Sequence, residues 1–90
     1  MECKVYNVVA SWEKEYWDSY YGDIMSETEY LFDYFFITEQ TAIEKAREIA
    51  HKYPYAWVRV FEIIVSDKTN KRERVYNFYE GVETIIRENK

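Results

Sequence analysis

The 90 residues hold one histidine, one cysteine, one proline and two glycines, little of the types on which zinc sites, histidine-activated nucleophiles and irregular loops depend. A lone His51 and a lone Cys3 give no zinc-ligand spacing. A nucleophile would also lack the neighbouring base and the orienting group that activate it. Cys3 cannot form an internal disulfide, which points to a reducing compartment, and it reads as a small apolar residue of a first strand. Long hydrophobic runs are missing too. None approaches the ~20 residues that span a bilayer, 32% of the residues are charged, and the mean hydropathy is -0.58. The opening MECKVYNVVASW lacks a secretory pattern, so the expectation is a cytoplasmic protein. Finally, basic residues are too few. A net charge of -5 argues against nucleic acid as the main partner, because neutralising phosphates takes a surplus of Lys and Arg.

What the chain has in abundance is aromatic rings and, in its first half, acid. Aromatics make up 20% of the residues, with ten Tyr, enough for a compact core in a single domain spanning 1–90. Residues 1–39 carry a net -7, although the whole chain carries only -5, so the remainder is slightly basic. The imbalance concentrates in WEKEYWDSYYGDIMSETEYLFD, residues 12–33, where seven acids face the single base Lys14 and are interleaved with Trp and Tyr. Disordered acidic tails lack aromatics, so this segment reads as an ordered surface.

Alternation organises most of the chain. Tyr6, Val8, Ala10 and Trp12 share one face of a first strand, with Val5 and Val9 on the other. Gly22-Asp23 marks a turn. A second strand from about Glu29 to Ile37 is apolar on both sides, which predicts a central position. The two form a hairpin whose tip is the acidic stretch. Ala42, Ala46, Ile49, Ala50 and Tyr53 then recur at helical spacing, which predicts a helix over 38–53. Thr38 is its candidate cap, with Thr41 to Glu44 an alternative capping box, and Pro54 ends it. Residues 55–66 and 72–79 read as a third and a fourth strand around the turn DKTNK. After Gly81, Val82, Ile85 and Ile86 fit a short C-terminal helix. The expected fold is therefore α+β in β-β-α-β-β-α order: a four-stranded antiparallel sheet with one main helix on one face and a short helix at the end.

Two surfaces stand out. In the hairpin, Glu13, Glu15, Trp17, Asp18, Tyr20, Tyr21, Asp23, Glu27 and Glu29 combine carboxylates with rings beside a turn, where burial is hard. Tyr and Trp anchor protein interfaces, and carboxylates among them suit a basic partner groove. Their spacing does not match a calcium loop. The second surface is KTNKRER, where Lys68, Lys71, Arg72 and Arg74 stand near Tyr76 and Phe78, rings that can stack on bases. The leading expectation is a non-enzymatic, cofactor-free, metal-free protein-binding inhibitor working through the acidic hairpin. The alternatives are a small RNA- or DNA-binding protein using residues 68–74, and a structural module self-associating through a strand edge, with residues 55–66 as the edge if they are not central. In size, acidity and Tyr content over its whole length, the chain resembles small phage-encoded inhibitors of the anti-CRISPR type. That resemblance implies a protein that resembles nucleic acid in charge and occupies a groove of a host defence enzyme or blocks its moving parts, and it carries over no individual residue.

Overall fold

The computed structural model describes residues 2–86. Its elements are β1 (Glu2–Asp18), β2 (Asp23–Phe36), α1 (Glu39–Lys52), β3 (Trp57–Ser66), β4 (Asn70–Tyr79) and β5 (Val82–Ile85). The five strands form one antiparallel sheet in the order β2-β1-β3-β4-β5. The fold is α+β, but it differs from the sequence expectation of four strands and two helices.

The C-terminal helix is replaced by β5. Glu80 and Gly81 both take positive φ, 51° and 81°, the pair of left-handed residues that closes a two-residue hairpin whose twist matches its strands. Val82 and Ile85 then pair with Tyr79 and Tyr76. Any continuation of the expected helix past Ile86 lies outside the described residues. The second strand is also misplaced by the sequence reading. β2 is an edge and β3 is interior, because β3 pairs with β1 on one side and β4 on the other. Apolar residues on both sides of β2 do not signal burial here: Tyr34 and Phe35 are both exposed.

Helix α1 packs on one face of the sheet. The Thr38 side chain accepts a hydrogen bond from the Thr41 backbone N–H, satisfying one of the free donors of the first turn. Three alanines, Ala42, Ala46 and Ala50, are buried together with Ile49 and let the helix approach closely. Beneath them lie Val8, Ala10, Val58, Val60 and Tyr76, with Phe32 and Phe36 packed against the margin. Arg47 on the helix donates to Glu83 of β5 at 2.8 Å and ties the new strand to the same layer. No described helix is long and apolar enough to cross a membrane.

Two irregularities in register decide which side chains reach the other face. Between Ala10/Phe32 and Ser11/Tyr30, Leu31 is an extra residue on β2. Between Val60/Tyr76 and Phe61/Arg74, Val75 is an extra residue on β4. Each bulge shifts the alternation by one, so residues on its far side change face. Tyr30, placed in the core by simple alternation with Phe32, is instead 64% exposed. Arg72 and Arg74, which alternation would put beside Tyr76, emerge on the face opposite the helix.

Candidate functional site: an acidic arm and an arginine-aromatic face

The ladder between β1 and β3 ends where Ser11 meets Trp57. Beyond that pair, residues 12–18 of β1 have β2 as their one ladder partner among the described residues, in a two-stranded ribbon from Trp12/Glu29 to Asp18/Asp23. Seven residues at about 3.4 Å each project the ribbon roughly 24 Å beyond the body of the sheet. The longest molecular dimension, 53 Å against 31 and 19 Å, fits that extension.

The register sorts the arm into two faces. One continues the helix side of the sheet and carries Trp12, Lys14 and Tyr16 against Glu29, Glu27 and Met25. The other continues the open side and carries Glu13, Glu15 and Trp17 against Thr28, Ser26 and Ile24. At the tip, Trp17 is 65% and Tyr20 87% exposed, with Tyr21 and Ile24 also open to solvent. Tyr20 and Tyr21 touch edge to face, their centroids 4.9 Å apart.

The acids named from the sequence divide by what they touch. Asp18 shapes the turn: its carboxylate accepts from the backbone N–H groups of Tyr20 and Tyr21, while its carbonyl accepts from Gly22. Gly22 supplies the positive φ, 64°, which the turn requires. Asp23 accepts from the N–H of Ile24, and Glu13 from the hydroxyl of Thr28 at 2.8 Å. The carboxylates of Glu15, Glu27 and Glu29 make no hydrogen bond or ion pair with another described residue. These three are the carboxylates the arm offers outward, and Asp18 and Asp23 belong to its architecture.

On the sheet face opposite α1, the bulge at Val75 brings β4 arginines against β3 rings. The Arg59 guanidinium carbon lies 3.9 Å from the Trp57 ring centroid, and that of Arg72 lies 4.0 Å from Phe61. Arg74 sits between them, 5.4 Å from Trp57 and 5.8 Å from Phe61. Cations over aromatic faces gain from the ring quadrupole, and the stacking fixes the guanidinium planes with their edges free to meet acceptors. Trp57 is itself held, donating from Nε1 to Asn77 at 2.7 Å and touching Tyr79 edge to face. Arg59 donates to Ser11 Oγ. Burial lowers its affinity for a proton, the nearby Arg74 and Arg72 add to that, and Tyr30 and Asp33 oppose it. Between this face and the base of the arm runs a groove of about 570 Å³, bordered by Ser11, Glu13, Trp57, Arg74 and Tyr79.

The basic cluster expected at 68–74 is thus split and enlarged. Lys68 lies in the β3–β4 turn, and Lys71 pairs with Ile64 on the helix side, away from the others. Tyr76 is buried and Phe78 half-buried under the helix layer, so neither serves Arg72 or Arg74 as a stacking platform. Their rings are Phe61 and Trp57, with Arg59 as a third cation that the sequence reading left aside. The alternation Trp57, Arg59, Phe61 was visible along the chain; its meeting with Arg72 and Arg74 depends on the bulge. His51 is exposed at the end of α1, and Cys3 lies on β1, where it is exposed. Among the described residues, no group of three His, Cys, Asp or Glu is arranged to hold a metal ion. Compared with family models, curated proteins and solved structures, the chain matches none.

Proposed function

We propose that the protein is a non-enzymatic protein-binding inhibitor that uses its projecting arm to occupy a basic, nucleic-acid-binding surface of a partner. The observation that carries the reading is the free ribbon beyond Ser11. An isolated two-stranded hairpin is marginal in water, and this one spends its tip on exposed Trp17, Tyr20, Tyr21 and Ile24. Rings in such number beside Glu15, Glu27 and Glu29 make an anchor-and-charge surface: the rings supply buried area and the carboxylates supply complementarity to Lys and Arg. The arm is narrow enough to enter a groove and long enough to reach along it.

The test is affinity capture from a host lysate with the intact protein and with a variant in which residues 14–27 are replaced by Asn-Gly. The reading expects partners held by the intact protein alone, released by competing polyanion, and inhibited in nucleic-acid binding. Capture of the same partners by both forms would remove the arm from the function.

A further inference from the structure

We infer that the open sheet face receives the arm of a second copy of the same chain, giving a two-fold dimer in which each arm lies across the arginine-aromatic face of the other. The inference concerns the inner face of the arm and rests on the arm being an interface element; Glu15 and Trp17, which the proposed function also offers to a partner, lie in the dimer contact, and sedimentation of the isolated protein tests that contact without the partner.

Charge complementarity within one molecule is the first ground. Arg59, Arg72 and Arg74 lie on a face that no described helix covers, and Glu13, Glu15 and Trp17 continue that same face outward along β1. The guanidiniums already cover Trp57 and Phe61, which leaves their N–H edges for carboxylates and blocks the rings from stacking on bases. An acidic ribbon fits this surface better than a single-stranded nucleic acid does, and the chain as a whole carries -5.

Register is the second ground, and it is independent of charge. Ser11 is the level at which body and arm meet. Two residues before it, Val9 lies opposite Arg59; four before it, Asn7 lies opposite Phe61, which in turn faces Arg74; six before it, Val5 lies opposite Ile63, which faces Arg72. Two, four and six residues beyond it come Glu13, Glu15 and Trp17. A two-fold axis crossing the strands at Ser11 therefore brings Glu13 to the level of Arg59 of the second copy and Glu15 to that of Arg74. Trp17 falls at the level of half-buried Val5 and Ile63. Aligned sheets cross at about 30°. Over the two residues to Glu13 that moves the arm sideways by about 4 Å, close to the one strand spacing at which β3 carries Arg59, and over the four residues to Glu15 by about 8 Å, towards β4, which carries Arg74. Both contacts form at once, as an isologous interface demands. The outer arm face, with Tyr16, Glu27 and Glu29, stays outside the dimer and free for a target.

Charge reversal in purified protein tests this by sedimentation equilibrium. The wild type is expected to dimerise, and to do so at least tenfold more weakly in 0.5 M than in 0.1 M salt. An arm variant, Glu13→Lys with Glu15→Lys, and a face variant, Arg72→Glu with Arg74→Glu, should each be monomeric, since each opposes like charges at both contacts. Mixed in equal amounts they should associate again, because one arm-face contact in the mixed dimer is wild-type and in the other the Glu15→Lys and Arg74→Glu changes reverse their pair together, with like charges left only where Glu13→Lys meets Arg59. All four positions are exposed, so circular dichroism should show both variants folded. Should either misfold, Glu15→Gln and Arg74→Gln serve instead, each expected to weaken dimerisation at least threefold. A wild type that stays monomeric, a dimer that survives both variants (as pairing through the β2 edge would), or variants that fail to associate on mixing would overturn the proposal. So would a monomeric wild type whose arginine face binds oligonucleotide.

Discussion

Ser11 of β1 and Trp57 of β3 form the last pair of the ladder between those strands, and from there outward β1 keeps β2 as its sole described neighbour. That pair divides the molecule into a helix-backed sheet and a bare ribbon. Stability should follow the division. Replacing residues 14–27 with Asn-Gly closes the hairpin next to the Glu13–Thr28 pair and removes none of the core cluster. Denaturant unfolding should change by less than about 1 kcal/mol. A loss of several kcal/mol would mean that the arm helps to hold the body together.

The opposite result is expected at the helix. Ala46 is fully buried between α1 and the sheet, with the neighbouring Ala42 and Ala50 in the same stripe. Ala46→Asp places a carboxylate there without a partner, and thermal unfolding should register a loss of roughly 3 kcal/mol or more. An unchanged Tm would contradict the assignment of this helix face.

Glu80 offers a substitution that should stabilise. It holds a left-handed conformation at φ 51°, which costs a residue with a Cβ about 1 kcal/mol. Glu80→Asn gives the Asn-Gly pair favoured in this turn and should add on the order of 0.5 kcal/mol. Gly81→Val should cost more than that and loosen β5, seen as faster amide exchange at Thr84 and Ile86. Equal exchange in both variants would mean that the turn does not hold β5 in place.

How much of this was legible in the chain depends on what decides each feature. Local rules decide α1, and Thr38, the alanine spacing and Pro54 display them directly. The hairpin of β1 and β2 follows from two alternating runs around Gly22. Val82, Ile85 and Ile86 suit a helix or a strand equally, and the choice rests on the backbone of Glu80-Gly81 and on the open edge of β4. The bulges at Leu31 and Val75 are set by pairing across strands, which no single run of residues displays. For that reason simple alternation puts Tyr30 on the side of Phe32, and Arg72 and Arg74 beside Tyr76, and does not bring Arg59 to them.

Tyr76 gives the fold a signature at high pH. Its burial, with Glu83 nearby as a second cause, pushes the phenol up to about 12. The folded protein therefore keeps this proton when the unfolded chain, with a phenol near 10, has lost it. The stability that depends on it is intact below about pH 10 and is lost as pH rises to about 12, on the order of 2 kcal/mol in all. Denaturant midpoints across that window should fall accordingly, and the Tyr76 ring signal should titrate at about 12. A Tyr76 ring signal that titrates near 10 would contradict its burial.

The arm as an interface is tested most directly by the rate at which the captured partner associates. Glu15, Glu27 and Glu29 changed together to Gln keep the shape and remove three arm carboxylates that engage no other described residue. Measured by stopped flow or surface binding at 0.05 and 0.5 M salt, the intact protein should associate fast at low salt and markedly slower at high salt. The triple variant should associate at least tenfold more slowly at low salt and lose most of that salt dependence, with its circular dichroism unchanged. An association rate that is the same for both proteins at both salt concentrations, together with loss of partner binding in Arg72→Glu/Arg74→Glu, would contradict the account and move the interface to the sheet face.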